Sequence, residues 1–529
     1  MPQIQAHTQK LQAALQALGA GRAAEAERQL RRLLRADPEH AEALHCLGIA
    51  LHAQAQNSQA LGFIERSLRL APGNSQAENN RATVLNALSR PAEALAALDR
   101  AIALAPGDKT LHYNRGNTLM SLQRHDDALA AFDRAIALDA DFRQAWQNRG
   151  ITLTRLGMLR EALDNYERLI RLTAPRDAHL PEAQANRAWA LDRLNRRDEA
   201  LDACDAAIAA DPDYGLAHFN AAPICLAMGD YERGWREFEW RWKDPDFARH
   251  KRDWRQKLWL GAENLAGKRI ILFAEQGFGD TIQFCRYVPM VKALGAHVIL
   301  EAPPPLIALL RTLAGWDEIC AFGGRLPAAD FQTPLMSLPL CFDTRLETIP
   351  AETSYLAADP ARVAAWAHIL GPKTGPRIGL AWSGNPALKS DAVRSAPLAD
   401  LTPLILPGVS YFAVQKDIKE TDRAAAAAFG VADHGARITD FADTAALISL
   451  MDVVISVDSA PAHLAGALGK PVWLLLYHAA EWRWLMDRAD SPWYPTATLF
   501  RQAVAMDWRE VARRVGEVLA GWVKEAVLF

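Results

Sequence analysis

The stretch "HYNRGNTLMSLQRHDDALAAFDRAIALDA", residues 112–140, decides the fold of the first half of this chain. Its two small residues, Gly116 and Ala128, stand twelve apart in a run whose apolar positions follow a helical period. The second of them recurs as Ala26, Ala60, Ala94, Ala128, Ala162, Ala200 and Gly234, at five intervals of 34 residues and one of 38. The first recurs as Gly48, Ala82, Gly116, Gly150, Ala188 and Ala222. Small side chains let two antiparallel helices approach closely. One such pair per period therefore describes a helix-turn-helix hairpin, and hairpins at this spacing stack into an α solenoid.

Turn signals separate the repeats at Asp37-Pro38, Ala71-Pro72-Gly73, Ala105-Pro106-Gly107 and Asp211-Pro212, because proline cannot continue the helix before it. The fourth repeat ends instead in Asp139-Ala140-Asp141. The long interval contains Thr173-Ala174-Pro175-Arg176-Asp177, which puts its four extra residues in a loop between repeats. On these signatures the segment resembles the tetratricopeptide repeat family, with a solenoid expected over residues 1–243.

Composition leaves room for more. A chain of 529 residues, 50% of them hydrophobic, can hold a solenoid and one or two further globular domains. A formal charge of −3 gives no electrostatic footprint for nucleic acid. The cysteines, Cys46, Cys204, Cys225, Cys285, Cys320 and Cys341, form no CxxC pair and no metal-ligand spacing; they read as reduced, buried residues of a cytoplasmic protein. The opening "MPQIQAHTQKLQAALQALGAG" is amphipathic without the apolar core of a signal peptide. No segment reaches the ~20 apolar residues that span a bilayer.

Between Tyr231 and Trp259 the character changes, with Trp235, Trp240, Trp242, Trp254 and Trp259 set among charged residues. Such interleaving can bind single-stranded nucleic acid. Large aromatics also suit the dry contact by which a solenoid is capped against a following domain, and that reading is preferred, with residues 244–267 as cap and linker. From Lys268 onward apolar strands alternate with helical segments: "RIILFAEQ", "HVILEAPP", "WDEICAF" and "FQTPLMSL", then "RIGLAWSG", "SYFAVQ", "DVVISVD" and "PVWLLL". This alternation argues for parallel, doubly wound sheets in two units, 268–371 and 372–529, around a cleft.

Two loops carry the chemical information. In "AEQGFGDTIQF", Gly277 and Gly279 bring backbone close to a ligand, and Asp280 opens the following helix, where exposed amides favour an anion. An ordinary capping role suits Asp280 as well. The dinucleotide fingerprint fails, because Ile282 stands where its third glycine belongs. In "VISVDSAPAHLAGALGKPVWLL", Asp458-Ser459 ends a strand, Ser459 is a natural N-cap and Pro461 fits the first turn. Together "EQGFGDTIQFCRYVPMVKALG" and "VDSAPAHLAGALGKPVW" resemble the heptosyltransferase-like glycosyltransferases of family 9, over roughly residues 268 to 500. The resemblance implies a GT-B fold of two Rossmann-like lobes and metal-independent, inverting transfer from a nucleotide-sugar. It implies Asp280 as the base that deprotonates the acceptor hydroxyl, and Asp458, Ser459, Ala460 and His463 as the holders of the donor diphosphate. Lys389 and Arg394 are candidates to stabilise the leaving group, against a plain reading as solvated loop charges. Gln276, the Trp382-Ser383-Gly384-Asn385 loop and Gln415 are further cleft candidates, Gln415 as a contact to base or ribose. The aromatic run "EWRWLMDRADSPWYP" reads as a packed cap more readily than as a pocket wall. Neither a metal nor a cofactor is expected.

Asparagines recur at Asn80, Asn114, Asn148, Asn186 and Asn220 with the repeat period. A side-chain amide offers donor and acceptor to a peptide backbone, so this ladder could hold an extended chain whatever its sequence. A similar ladder lines the repeats of O-linked N-acetylglucosamine transferase; local hydrogen bonding within repeats is the plainer alternative. Bacterial flagellin glycosyltransferases with repeats ahead of a GT-B unit are the nearest overall likeness. Together these imply a protein O-glycosyltransferase whose repeats recruit a polypeptide such as flagellin. Its rivals are a non-catalytic scaffold with a decayed GT-B half and a transferase acting on a saccharide or lipid-linked acceptor.

Overall fold

The computed structural model describes residues 2–174, 176–248, 251–386 and 391–527. The chain divides into two compact units, Met1–Leu191 with Ala209–Pro212, and Asp192–Ile208 with Asp213–Phe529.

The first unit is built of paired helices: Pro2–Gly19 with Ala23–Ala36, Ala41–His52 with Asn57–Leu70, Ser75–Ala87 with Pro91–Leu104, Lys109–Ser121 with His125–Leu138, and Arg143–Arg155 with Leu159–Leu172. The ladder of small residues does what the repeat pattern requires. Ala26, Ala60, Ala94, Ala128 and Ala162 are all fully buried. At Gly116 a Cβ would come within 2.5 Å of the Phe132 ring, so the facing helix tolerates no side chain there. The four-residue insertion falls in the connection between Leu159–Leu172 and Leu180–Arg193 and leaves the helices intact.

One periodic feature is invisible in the sequence pattern. The turn inside each hairpin contains a left-handed residue: Gly21, Ala55, Ser89, Gln123, Gly157, Asn195 and Gly229, with φ between 58° and 88°. Glycine adopts this conformation freely and asparagine tolerates it, whereas alanine, serine and glutamine are strained in it.

The second unit begins with the last repeats, including the helices Gly215–Met228 and Tyr231–Phe238 and the 3-10 turn Glu239–Lys243. Two parallel sheets follow. The first comprises β1 (Lys257–Leu258), β2 (Arg269–Phe273), β3 (His297–Ala302), β4 (Glu318–Ala321) and β5 (Phe331–Pro334), in the order β1-β5-β2-β3-β4. The second comprises β6 (Arg377–Ala381), β7 (Ser410–Ala413), β8 (Val431–Ala432), β9 (Val453–Val457), β10 (Val472–Leu476) and β11 (Ala497–Arg501), in the order β11-β10-β9-β6-β7-β8. Strands β6, β9 and β10 are buried along their whole length, as apolar runs covered on both faces should be. Strand order reverses beside β2 in the first sheet and beside β6 in the second. In open α/β sheets, ligands bind beyond the carboxyl ends of strands at such reversals.

Several boundaries differ from the sequence reading. Compactness divides the chain near residue 191, earlier than the composition change at 243, because the last repeats pack on the sheets. Within 244–267, β1 joins the edge of the first sheet. The helix Pro360–Leu370, just upstream of the division expected at 371, is tied to the segment between β8 and β9 by Arg362, which donates to Asp440 at 2.7 and 3.1 Å. The helix expected after the glycine loop breaks into Phe278–Phe284, a 3-10 turn Cys285–Tyr287 and Val288–Ala293, since Pro289 cannot continue the ladder. Some of the tryptophans join the last repeat to the sheets, and Trp240 packs within the repeat itself. Trp235 meets Trp482 edge to face at 5.3 Å, Trp493 Nε1 donates to Tyr231 Oη at 3.1 Å, and Trp240 stacks on His218 at 3.8 Å.

The left-handed turns yield a test. Gln123 is exposed with φ 59°, so Gln123→Gly loses no packing. Relief of roughly 1–2 kcal/mol of αL strain, less ~0.5–1 kcal/mol for glycine's extra freedom when unfolded, predicts a gain of about 0.5–1 kcal/mol. The midpoint of the urea transition of the solenoid should rise; an unchanged or lowered midpoint refutes the account.

Candidate active site

The two loops at the points of strand-order reversal build one site. After β2 the chain runs through Glu275 and Gln276, turns left-handed at Gln276 with φ 60°, and enters the helix Phe278–Phe284. Asp280 caps that helix by accepting the Gly277 N–H on Oδ2 at 2.8 Å. Its Oδ1 accepts a hydrogen bond from Arg483 Nη2, so the carboxylate is held at both oxygens. Just upstream, Glu275 is gripped by Arg241, which is fully buried. Nε and Nη2 of the guanidinium reach the two Glu275 oxygens at 3.1 and 2.8 Å, and its remaining N–H groups go to Glu239, the Phe238 carbonyl and Ser337. Burial pushes the Glu275 carboxyl above its ordinary range, and the Arg241 charge opposes it.

After β9, Ser459 takes the N-cap position of the helix Ala460–Ala467 without capping it; its hydroxyl lies 3.1 Å from Ser456 Oγ. Asp458 and His463 are buried beside it. His463 Nδ1 pairs with Tyr494 Oη at 2.9 Å, Nε2 lies 3.6 Å from Asp458 Oδ1, and the ring stacks on Trp484 at 5.5 Å. A Cβ on Gly279 would meet His463 Cδ2 at 2.7 Å. The glycine of the first loop is thus required by contact with the second loop, in addition to any ligand.

Arg483 ties these parts together. Only 7% exposed, it donates to Asp280, through Nε to Gln283 Oε1, and through Nη1 to Glu481 Oε1 at 2.5 Å, with its guanidinium 4.6 Å from the Trp482 ring centre. Sequence reading had Arg483 only as part of an aromatic cap. Its partner Asp280 stands 203 residues away, and no local pattern announces such a pair.

Burial holds the His463 pKa below its ordinary value against the pull of Asp458, which leaves the imidazole neutral near pH 7. For Asp458, burial acts upward, but the proximity of His463, Arg483 and Arg394 prevails and lowers it. Glu481 is pushed up to about 7 by burial, with Arg483 opposing.

The loop after β6 corrects one expectation. Gln415 Oε1 accepts from the amides of Trp382 and Ser383 at 2.8 and 3.2 Å, and its Nε2 donates to Ser383 Oγ and the Asp417 carbonyl at 3.0 and 2.8 Å. Every valence of the amide shapes the loop, and none is left for a donor's base or ribose. Arg394 Nη2 would lie 2.7 Å from a Cβ on Gly384, and Arg394 Nε is buried without a hydrogen-bond partner among the described residues. Lys389 lies outside the described residues. A basic residue that sequence reading passed over is Lys419, which pairs with the buried Asp391 at 2.8 Å.

The asparagine ladder lies on the first helix of each hairpin, half-buried. Asn80 Nδ2 pairs with His45 Nε2 at 2.8 Å, Asn114 donates to Asn79 Oδ1 at 2.8 Å, and Asn148 donates to Asn117 Oδ1 at 2.6 Å. These amides stitch each repeat to the one before, so part of the donor capacity read as free for a peptide is already in use. Asn186 and Asn220 occupy the matching places on Leu180–Arg193 and Gly215–Met228. Among the described residues, no group of three or more His, Cys, Asp or Glu could hold a metal ion, and no helix is long and apolar enough to cross a membrane.

The site has a pH signature. A histidine whose folded pKa lies below the unfolded ~6.5 contributes stability that is full above that value and lost as pH falls through the folded one. Glu481 works in the opposite sense, gaining a proton and stability as pH falls from about 7 toward the unfolded ~4.3. Between about pH 7 and 5, His463→Gln should therefore lose less thermal stability than the wild type. Parallel melting profiles would contradict a buried neutral His463.

Comparison with known proteins follows the same division. The chain matches the tetratricopeptide repeat family over residues 11–75, 47–109, 79–148, 113–177, 148–215 and 185–234. It matches glycosyltransferase family 9 (heptosyltransferase) over residues 413–499, which include β9, Asp458 and His463. It is 29% identical over 380 residues to Protein FlbA of Caulobacter vibrioides, covering 64% of this chain and 61% of that protein, so it spans about three fifths of that relative. A 55-residue segment is 40% identical to the DnaJ homolog subfamily C member 7 homolog of Dictyostelium discoideum, 10% of each chain. Among solved structures, YrrB, a TPR protein with an unusual peptide-binding site, aligns at a TM-score of 0.31 and 24% identity over 36% of this chain and 95% of its own. MamA from Desulfovibrio magneticus RS-1 aligns at 0.30 and 23%, over 31% and 94%. The chain joins tetratricopeptide repeats to a heptosyltransferase-like segment.

Proposed function

We propose that this protein is a metal-independent, inverting glycosyltransferase of GT-B type that moves a sugar from a nucleotide-sugar to a Ser or Thr hydroxyl of a polypeptide recruited by the repeats. The observation that carries the proposal is the meeting of the two reversal-point loops. Asp280 stands within reach of Arg483, and Gly279 touches His463, in a chain whose second loop lies in the family 9 match.

In the proposed reaction the acceptor oxygen attacks the anomeric carbon while its proton passes to Asp280. The bond from that carbon to the phosphate oxygen breaks, and the nucleotide leaves with the electron pair. An alcohol is a poor nucleophile until a positioned carboxylate takes its proton. Each Asp280 oxygen keeps a second lone pair beyond those bonded to Gly277 and Arg483. The leaving phosphate would gather charge at the start of Ala460–Ala467, near Asp458, Ser459 and Ala460, with Arg394, and Lys389 in the same stretch, as its cations. Neutral His463 supports the turn and takes no proton.

The test is a thermal-shift screen of the purified chain against UDP, GDP, ADP, CMP and their common sugar conjugates. A ligand at about 100 times its Kd should add ~2.7 kcal/mol of stability. The shift should disappear in Asp458→Ala and persist in Asp280→Asn, whereas transfer by Asp280→Asn should fall by roughly 10²–10⁴-fold. Undiminished transfer by Asp280→Asn would remove the base from the scheme, and no shift with any nucleotide would remove the enzyme.

A further inference from the structure

A cavity of about 200 Å³ lies wholly within the second unit. Its charged lining comes from two segments distant in sequence. The last repeats contribute Asp192, Arg193 and Arg197, and the segment after β10 contributes Glu481 and Arg483. Three guanidinium groups therefore face two carboxylates, and the cavity is net positive. Both carboxylates already have partners: Asp192 accepts from Arg197 Nε at 3.2 Å, and Glu481 Oε1 accepts from Arg483 Nη1 at 2.5 Å. Burial pushes Glu481 up to about 7, with Arg483 opposing, so near neutrality part of its negative charge is missing. Arg501 shows the same excess: burial, and after it the Arg197 charge, hold its guanidinium down at about 10.

Polar groups on the cavity wall have hydrogen-bonding capacity left. Arg197 is 5% exposed; its Nε is taken by Asp192 and its Nη2 by the Ala480 carbonyl at 2.5 Å, while Nη1 makes no hydrogen bond among the described residues. The buried Tyr477 makes none through its hydroxyl among those residues, and Gln276, the left-handed residue before Gly277, adds a carboxamide. Such a set suits a guest that only accepts hydrogen bonds and carries negative charge. A cation would meet three guanidinium groups, and a neutral guest would leave the excess charge uncompensated. Phe219, Pro223 and Met336 make other parts of the wall apolar, where a hydrogen bond to a charge is stronger than in water. Pockets that hold cofactors or drug-sized ligands run to ~300–1,000 Å³, so a nucleotide-sugar is too large. At ~30 Å³ per water the space equals about six or seven waters, enough for a carboxylate, sulfonate or phosphate group with water around it.

We infer that this cavity is a binding site for one small oxyanion, held by Arg197 and Tyr477. The inference stands independently of the glycosyltransferase reading, because none of Asp280, Asp458, Ser459 and Ala460 lines the cavity. Its test is saturation-transfer NMR on the full chain near neutral pH, with small probes that carry methyl protons: methanesulfonate, a tetrahedral oxyanion; acetate, a planar one; and dimethyl sulfone, which is neutral. Saturation of at least one anion should exceed that of the sulfone, and the stronger anion identifies the geometry preferred. That anion is then titrated against Tyr477→Phe and Arg197→Gln. Its dissociation constant should rise about tenfold in each, as loss of a hydrogen bond to a charged group implies. Tyr477→Phe removes one oxygen and keeps the ring, so it decides the matter if Arg197→Gln fails to fold. Saturation of the sulfone equal to that of the anions, none by either anion, or an unchanged dissociation constant in either folded variant overturns the inference.

Discussion

The guanidinium of Arg483 is the constraint on which the site depends. Taking an arginine out of water costs several kcal/mol unless its N–H groups find partners. At 7% exposure, Arg483 finds them on two distant segments: Asp280 and Gln283 on the helix after β2, Glu481 in the segment after β10. The apposition of the two loops is thus the condition under which this charge can be buried at all. Arg286 repeats the device in the opposite direction. Standing in the 3-10 turn Cys285–Tyr287, it donates to the Trp493 carbonyl at 2.7 Å, the Pro350 carbonyl at 3.2 Å and Tyr355 Oη at 3.0 Å. Removing one member of such a set costs about 3–5 kcal/mol, because the others remain buried and unpaired.

Geometry at the proposed base follows from the same economy of partners. A carboxylate free to rotate would spend much of its time away from the acceptor. Asp280 is fixed in one orientation by a backbone amide on one oxygen and a guanidinium on the other. Strain at Gln276 accompanies this placement, and a left-handed non-glycine residue persists only where its surroundings over-determine it. Those surroundings include Glu275, one residue upstream, which Arg241 grips from below.

What the sequence reveals is what repeats or alternates. The 34-residue ladder fixed the hairpins because every rung, such as Ala94 or Ala128, is a buried contact that recurs with the same neighbours. Strands such as "RIILF" and "VWLLL" were legible because burial on both faces leaves an uninterrupted apolar run. The loops after β2 and β9 could be named because glycine, aspartate, serine and proline have few local uses. Gln415 was misjudged, since a glutamine at a strand end looks the same whether it faces a ligand or closes a loop. The left-handed turns at Ala55, Ser89 and Gln123 were missed because their residue types carry no turn signal, and β1, at two residues, is too short to show a period. Arg483 and Arg241 were illegible as partners for another reason: contacts spanning 203 and 34 residues are set by packing.

Arg241 gives the joining of two folds in one chain a physical meaning. The 3-10 turn that ends the last repeat supplies a fully buried arginine, and its fork-shaped head closes on the glutamate preceding the glycine loop after β2. Tyr231 and Trp235 from the same hairpin pack with Phe284 from the helix after β2 and with Trp482 and Trp493 from the segment between β10 and β11. A solenoid attached by a flexible linker would only raise the local concentration of an acceptor. Here the last repeat is part of the core that holds the loops, and the Trp-rich sequence is the record of that fusion. Displacing this hairpin would uncover large aromatic surface and leave Glu275 buried without its counter-charge. The last repeat and the two sheets must therefore fold as one body.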